Sequence, residues 1–199
     1  MDMVLTDDEI VAVALERRIA WPVPFPTVAT DVDHLAAAAA RGRRSLLVRG
    51  LATPSDSRVE LSQPVIDTLD RAVSGRIVLA WVASLDEPTV FAGSSTLLSR
   101  RPDGDQLDLT SASGIHDFRA TTPDAAEAIV VAIAKNVFDY GFAGTAIPTT
   151  RLFVGPFGGG PLALVSEGVL EVGEWTAAGI ETGQTVTEWD PDLVVRTLR

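Results

Sequence analysis

Residues that could act as acids, bases or nucleophiles are few in this chain. Its 199 residues include no cysteine and two histidines, His34 and His116. Without a thiol, disulfides, thiol nucleophiles and thiolate metal sites are excluded. His116 is followed by Asp117, but neighbouring side chains on a strand point to opposite faces, so we do not expect the two to bond. We interpret His116 as a loop histidine at a strand end. No G-x-S-x-G turn supplies a serine nucleophile, and we predict no catalytic residue.

A glycine cluster, GPFGGGPL at 155–162, raises the question of phosphate binding. A phosphate loop needs a helix directly behind its glycines, and the nucleotide-triphosphate version also needs a Lys-Ser or Lys-Thr end. Here Pro161 is followed by LALVS, which has the composition of a strand, and Lys135 is the last lysine. The cluster is therefore predicted to connect two antiparallel strands, and we expect no cofactor.

Carboxylates are numerous but stand mostly at predicted caps and turns. Glu171 and Glu188 fall in the C-terminal strands and could face each other across a sheet. Such a pair would suit a hydrolase or a divalent cation. Nothing in the sequence fixes that register, and a solvated acidic face is the simpler interpretation. We predict no metal site, although metal binding by carboxylates stays open.

The composition describes an acidic globular protein. Hydrophobic residues make up 46% and charged residues 22% of the chain, and the net charge is −11. That charge repels nucleic acid, and the one helix that could serve as a recognition helix, at 62–74, carries two aspartates and one arginine. No apolar run is long enough to cross a bilayer. The segment MDMVLTDDEI lacks the features of a signal peptide, so we expect a cytoplasmic protein.

Helices are predicted for the first third of the chain. Thr6 to Glu9 form a capping box that opens the first helix, and WPVPFP at 21–26 ends it. A second helix runs from about Thr30 to Arg49, where Gly50 suits a left-handed C′ position and Leu51 can fold back onto Leu46. Gly42 inside it predicts a close contact with another helix. A third helix spans 62–74.

The apolar pattern then changes to that of strands. RIVLAWVAS at 76–84, the segment 89–99 and QLDLTSA at 106–112 predict a three-stranded antiparallel meander. Thr122-Pro123 begins a helix that we expect to be long, central and buried, over about 123–140. After residue 150 the sequence predicts short strands at 151–154, 162–166, 169–175 and 185–189, and an apolar end at 193–198 that could be strand or helix.

These elements predict one α+β domain over 1–199, with possible sub-halves 1–145 and 146–199. The sheet should be mainly antiparallel, with helices packed on it. The C-terminal strands are too few to form a core alone. They must add to the first sheet or pair with another copy, and we expect a homodimer.

The order of elements over about residues 4–135 resembles the EspG proteins, cytosolic chaperones of type VII (ESX) secretion in actinobacteria. The resemblance is carried, in this order, by LTDDEI, WPVPFP, LLVRGLA, LSQPVIDTLDRAV and RIVLAWVAS. It implies an α+β fold of two similar halves and a purely binding activity, in which the helical tip of a PE–PPE pair is kept soluble before export. No binding residue is carried over, because the second half is not matched.

Two classes of function follow. The first is a non-enzymatic chaperone or adaptor whose partner contacts Phe91, Leu97 and Leu98 on an exposed face of the meander. The second is a small-molecule enzyme using carboxylates or His116, which requires a deep pocket lined by His116 and at least two acids. An interaction domain for some other partner remains as a third possibility.

Overall fold

A nine-stranded antiparallel sheet organises the chain. The structure, a computed structural model, describes residues 2–56, 58–142, 149–156 and 158–199. Its helices are α1 (Asp7–Arg17), α2 (Val32–Val48), α3 (Gln63–Ala72), α4 (Pro123–Tyr140) and α5 (Pro191–Leu198). Its strands are β1 (Met3–Thr6), β2 (Ala52–Ser55), β3 (Arg58–Leu61), β4 (Arg76–Ser84), β5 (Ser95–Arg100), β6 (Asp105–Thr110), β7 (Ile115–Thr121), β8 (Thr150–Gly155), β9 (Gly160–Ser166), β10 (Val169–Thr176) and β11 (Gly179–Val186). The predicted α+β class, with helices packed on an antiparallel sheet, is confirmed.

The strand order is β1-β7-β6-β5-β4-β8-β9-β10-β11, with β2-β3 as a separate hairpin. The C-terminal strands therefore add to the first sheet, since β8 pairs with β4 from Leu79 opposite Gly155 to Ser84 opposite Thr150. The predicted boundary at 145/146 lies outside the described residues. The predicted homodimer stays a prediction.

Helices cover the two faces of the sheet differently. On one face α4 and α5 pack against apolar side chains that include Leu98, Leu107 and Val165. On the other face α1, α2 and α3 pack over the β1–β7 end. The central strands of that second face are covered by Val23 of the proline-rich segment and by an aromatic stack centred on Trp81. No helix in the described ranges is long and apolar enough to span a bilayer.

The first two helices follow their sequence signals closely. Thr6 and Glu9 form the predicted capping box, with each side chain bonded to the other's backbone N–H. α2 ends as predicted, because Leu51 N donates to the Leu46 carbonyl at 2.8 Å and Gly50 has a φ of 69°. A Cβ added at Gly42 would lie 1.9 Å from the carbonyl oxygen of Asp8, so the predicted close helix contact is confirmed.

Two predictions for the middle of the chain were wrong. The strand predicted at 89–99 begins only at Ser95, because residues 85–94 leave the sheet and bring Phe91 onto the ring of Trp81, with ring centroids 5.5 Å apart. A strand that was not predicted, β7, follows the turn at Gly114 and carries His116. His116 is therefore a buried sheet residue and not a loop residue.

Helix α4 has the predicted bounds. Thr122 caps it through a hydrogen bond to Ala125 N, and Gly141 ends it. Contrary to the sequence prediction, it is not buried all round, because it lies across one face of the sheet and leaves its other side to solvent. It buries a single stripe of side chains. The stripe consists of Ala126, Val130, Ala134 and Val137.

At the C-terminal end, β8 and β9 are antiparallel neighbours, as predicted for the two sides of the glycine cluster. Residue 157 within that connection lies outside the described residues. The apolar end at 193–198 is helical and forms most of α5. The last predicted strand, at 185–189, is displaced, since β11 occupies Gly179–Val186.

Candidate functional site

Asp7, Asp8 and Glu9 begin α1, and their side chains bond residues of α2, its C-cap and the sheet. Asp8 pairs with Arg41 of α2 at 2.7 Å, and Glu9 pairs with Arg49 at 2.7 Å. Asp7 reaches across to His116 on β7. Carboxylates are favoured in the first turn of a helix, where its dipole is positive. The first turn of α1 is therefore an electrostatic anchor for both α2 and the sheet.

His116 lies between two carboxylates in the interior. Its Nε2 is 2.8 Å from Asp7 Oδ1, and its Nδ1 is 2.7 Å from Asp108 Oδ2. All three side chains are 1% exposed or less. Asp7 also accepts two hydrogen bonds from Thr27, one from its backbone N–H and one from its hydroxyl. The chain that links Asp7, His116 and Asp108 is called the buried triad below.

Proton affinities in the buried triad follow from this geometry. Burial alone lowers the pKa of His116, but hydrogen bonds and charge from Asp108 and Asp7 outweigh it and raise that pKa to about 9. Burial likewise raises the pKa of Asp7, yet the bonds from His116 and Thr27 prevail and lower it. The imidazole is therefore an imidazolium at neutral pH and donates from both ring nitrogens.

The buried triad is closed. The indole of Trp21 and the ring of Phe118 lie against the imidazole, with ring centroids 5.9 Å from it in both cases. His116 is fully buried and lines none of the four cavities described for this part of the chain. No group of acids and histidines among the described residues is arranged to hold a metal ion. The two acids that the enzyme hypothesis requires are present at His116, but the deep pocket that it requires is not formed there.

The partners of His116 were not predicted from the sequence. As predicted, Asp117 does not bond to it, because Asp117 faces the other way and accepts from Arg119 Nε at 3.0 Å. The actual partners come from β6 and from α1, at sequence separations of 8 and 109. One signal was available, namely the alternation of His116 with Phe118, which places both on one buried face of a strand. Nothing local identified Asp7.

The second feature is an open cleft of about 740 Å³ between the C-terminal half of α4 and the sheet. Its floor is formed by β4, β5 and β6 with Leu152 of β8, one wall by α4, and the opposite rim by residues 92–94 and 110–112. This volume falls within the range of ligand sites in proteins, about 300–1,000 Å³. We call it the α4 cleft.

Among the residues that the structure describes, none that lines the α4 cleft is charged. Its apolar part includes Val82, Leu109, Ile133 and Phe142, and its polar part consists of hydroxyls, the Asn136 amide and the Tyr140 phenol. Tyr140 is 75% exposed at the mouth. The described lining offers no carboxylate, imidazole or ammonium for general acid–base or metal chemistry.

A smaller groove of about 400 Å³ lies beside α1. It is lined by Leu15, Ile19 and the proline-rich segment, including the stacked rings of Trp21 and Phe25. The lining contains no charged residue. One ring of its wall, that of Trp21, also lies against the imidazole of the buried triad.

The residues predicted to meet a partner are placed differently from expectation. Leu97 and Leu98 are buried, at 0% and 1% exposure, because β5 lies inside the sheet with helices or aromatic rings on both faces. Phe91 is half-buried against Trp81. The prediction of an exposed face on this meander was therefore wrong for the two leucines. That a partner contacts these residues stays a prediction.

The carboxylate pair of Glu171 and Glu188, which the sequence left open, is not formed. Glu171 stands opposite Thr185, not Glu188, and it lies 3.8 Å from the guanidinium Nε of Arg151. Glu188 follows the end of β11. The register that the sequence left open therefore separates these two acids.

No protein-family model matches the chain, and no curated protein matches it either. The α4 cleft and the buried triad are therefore the features that bear on its function.

Proposed function

We propose that this protein is a non-enzymatic chaperone or adaptor that binds helical secretion substrates of the PE–PPE kind through the α4 cleft. The observation that carries the proposal is the size of this cleft, about 740 Å³, together with a lining in which the described residues are apolar or uncharged. Such a lining holds apolar side chains and performs no chemistry on them. The function would be exercised in the cytoplasm, before export.

The character of the lining also favours a helix over an extended segment. A helix satisfies its own backbone N–H and C=O groups, so it can rest an apolar stripe on a surface that has few hydrogen-bonding groups. An extended segment would leave its backbone groups facing Val82, Leu109 and Ile133 without partners, which is unfavourable. The hydroxyls and the Asn136 amide at the rim suit the polar residues that flank such a stripe.

Two further observations support the proposal. The resemblance over residues 4–135 implies the same class of activity. The imidazole that an enzyme would use is enclosed between Asp7 and Asp108 and is fully protonated at neutral pH, so it is neither accessible nor a base.

The test is co-expression with PE–PPE pairs encoded beside the gene, followed by affinity purification. Asn136→Arg places a bulky cation on the wall of the α4 cleft, where the described lining is otherwise free of charge. Ala132→Arg is the matched control, because Ala132 is an exposed residue one turn earlier on α4 and does not line the cleft. We expect the wild type and Ala132→Arg to co-purify with a pair, and Asn136→Arg to lose at least about tenfold in affinity.

Two results would contradict the proposal. One is that no pair co-purifies with the wild type and no pair raises its unfolding temperature. The other is that Asn136→Arg and Ala132→Arg bind the pair equally well, which would place the contact outside the α4 cleft.

A further inference from the structure

The last strand of the sheet, β11, has an open edge. It is the terminal strand in the order of the sheet, and residues 181–185 are exposed. Its eight residues, GIETGQTV, make it twice as long as β1 at the opposite edge. An edge strand presents unpaired backbone N–H and C=O groups, which another extended segment can bond.

Protection of this edge is weak. Proteins commonly block an edge with lysine, proline, a bulge or a very short strand. β11 contains no lysine, arginine or proline. Of these devices β11 carries one, a bulge at Gly183, which pairs with no residue of β10 because Thr182 stands opposite Gly173 and Gln184 opposite Val172. The stretch Gly179–Thr182 is uninterrupted.

Charge on this hairpin indicates what would bind there. Glu174 and Glu181 stand directly opposite each other in the pairing of β10 with β11. Like charges in that position are destabilising. Neither glutamate forms an ion pair among the described residues, and residues 169–186 contain no basic side chain. A cation supplied from outside would relieve this repulsion.

We propose that the β11 edge accepts an extended basic segment of a protein partner as a tenth strand, with a lysine or arginine beside Glu181. Backbone hydrogen bonds supply the pairing, and the charge of Glu174 and Glu181 selects basic partners. This proposal is independent of the α4 cleft, because no residue of β11 lines that cleft.

A second copy of the chain fits this edge less well than a basic segment. It would bring another Glu181 to the edge, with no basic residue in its own β11. Each copy also carries a net charge of −11, which opposes association.

The experiment uses two synthetic peptides of about ten residues, the length of a long strand, one alternating lysine with valine and one alternating glutamate with valine. Binding to the full chain is measured by fluorescence polarisation at low and high salt. We expect the lysine peptide to bind at least about tenfold more tightly than the glutamate peptide at low salt. Amide hydrogen exchange within 179–186 should slow when it binds, because the edge N–H groups become bonded.

Matched variants separate this site from the general acidity of the protein. Glu181→Lys should reverse the preference between the two peptides. Glu87→Lys makes the same change in net charge on the exposed 85–94 connection, and it should leave the preference in place. The proposal is overturned if the two variants behave alike, if exchange within 179–186 does not slow, or if light scattering shows that a second copy already occupies the edge.

Discussion

The buried triad and the α4 cleft lie on opposite faces of the sheet, share only strand β6 among the described residues and use opposite chemistry. On one face, Asp7, His116 and Asp108 enclose an ion network at 1% exposure or less. On the other face, a cleft of about 740 Å³ is open to solvent and has no charged residue in its described lining. The alternation of side chains along β6 separates them, since Asp108 points to the triad while Leu107 and Leu109 belong to the side that carries α4.

The two sites place different demands on the residues around them. A buried charge requires fixed partners, because an unpaired one is strongly destabilising, so the triad holds β1, α1, β6 and β7 in one arrangement. An apolar cleft makes no such demand and can accept apolar groups of several shapes. The buried triad therefore fixes the sheet whose opposite face carries the α4 cleft.

The largest effect is expected from His116→Gln. The amide keeps some hydrogen bonding but removes the positive charge between Asp7 and Asp108, so we expect the free energy of unfolding to fall by about 3–5 kcal/mol. Urea denaturation measures it. His34→Gln is the control, because the His34 side chain is 69% exposed, and it should change stability by no more than about 0.5 kcal/mol. Equal effects of the two substitutions would mean that the triad is not a structural anchor.

Stability should also depend on pH in a window set by His116. Because its folded pKa, about 9, lies above the unfolded value of 6.5, its contribution is complete below about pH 6.5 and is lost as the pH rises through 9. The loss is on the order of 3 kcal/mol. The lowered pKa of Asp7 acts in the opposite direction, so its contribution is lost as the pH falls below about 4. Denaturation midpoints at several pH values test this, and a wild type without a decline between pH 6.5 and 9 would contradict it.

Gly42→Ala should have an intermediate effect. Alanine favours a helix over glycine by about 1 kcal/mol, but its Cβ would meet the backbone carbonyl of Asp8, which cannot move aside without shifting α1. We expect a net destabilisation of about 1–3 kcal/mol, seen as a lower thermal midpoint. A stabilised variant would show that the α1–α2 contact is looser than described.

The smallest effect is expected in the α4 cleft itself. Asn136→Arg changes an exposed residue that makes no side-chain hydrogen bond recorded in the described structure, so stability should change by no more than about 0.5 kcal/mol. Thermal unfolding of the free protein measures this. A large loss would mean that the cleft wall contributes to folding, and its binding test would then have to be repeated with Tyr140→Ala.

Local patterns in the sequence predicted much of the helical structure, whereas, apart from the close approach at Gly42, the contacts between distant segments could not be predicted. The capping box at Thr6, the end of α2 at Gly50 and the bounds of α4 each depend on a few neighbouring residues, so their sequence signals were sufficient. The burial of Leu97 and the pairing of β4 with β8 depend on segments far along the chain. The α4 cleft belongs to this second class, because its lining comes from β4, β5, β6, β8 and α4 and has no compact motif.

The central claim, that a helical partner occupies the α4 cleft while the buried triad remains a closed anchor, is tested most directly by hydrogen exchange. The protein is compared by mass spectrometry with and without a co-purified PE–PPE pair. We expect exchange to slow in peptides covering 92–96 and 133–142, and to remain unchanged in those covering 7–17 and 115–121. Slowing confined to 7–17 or 115–121, or no change at the cleft in a complex that does form, would contradict the account.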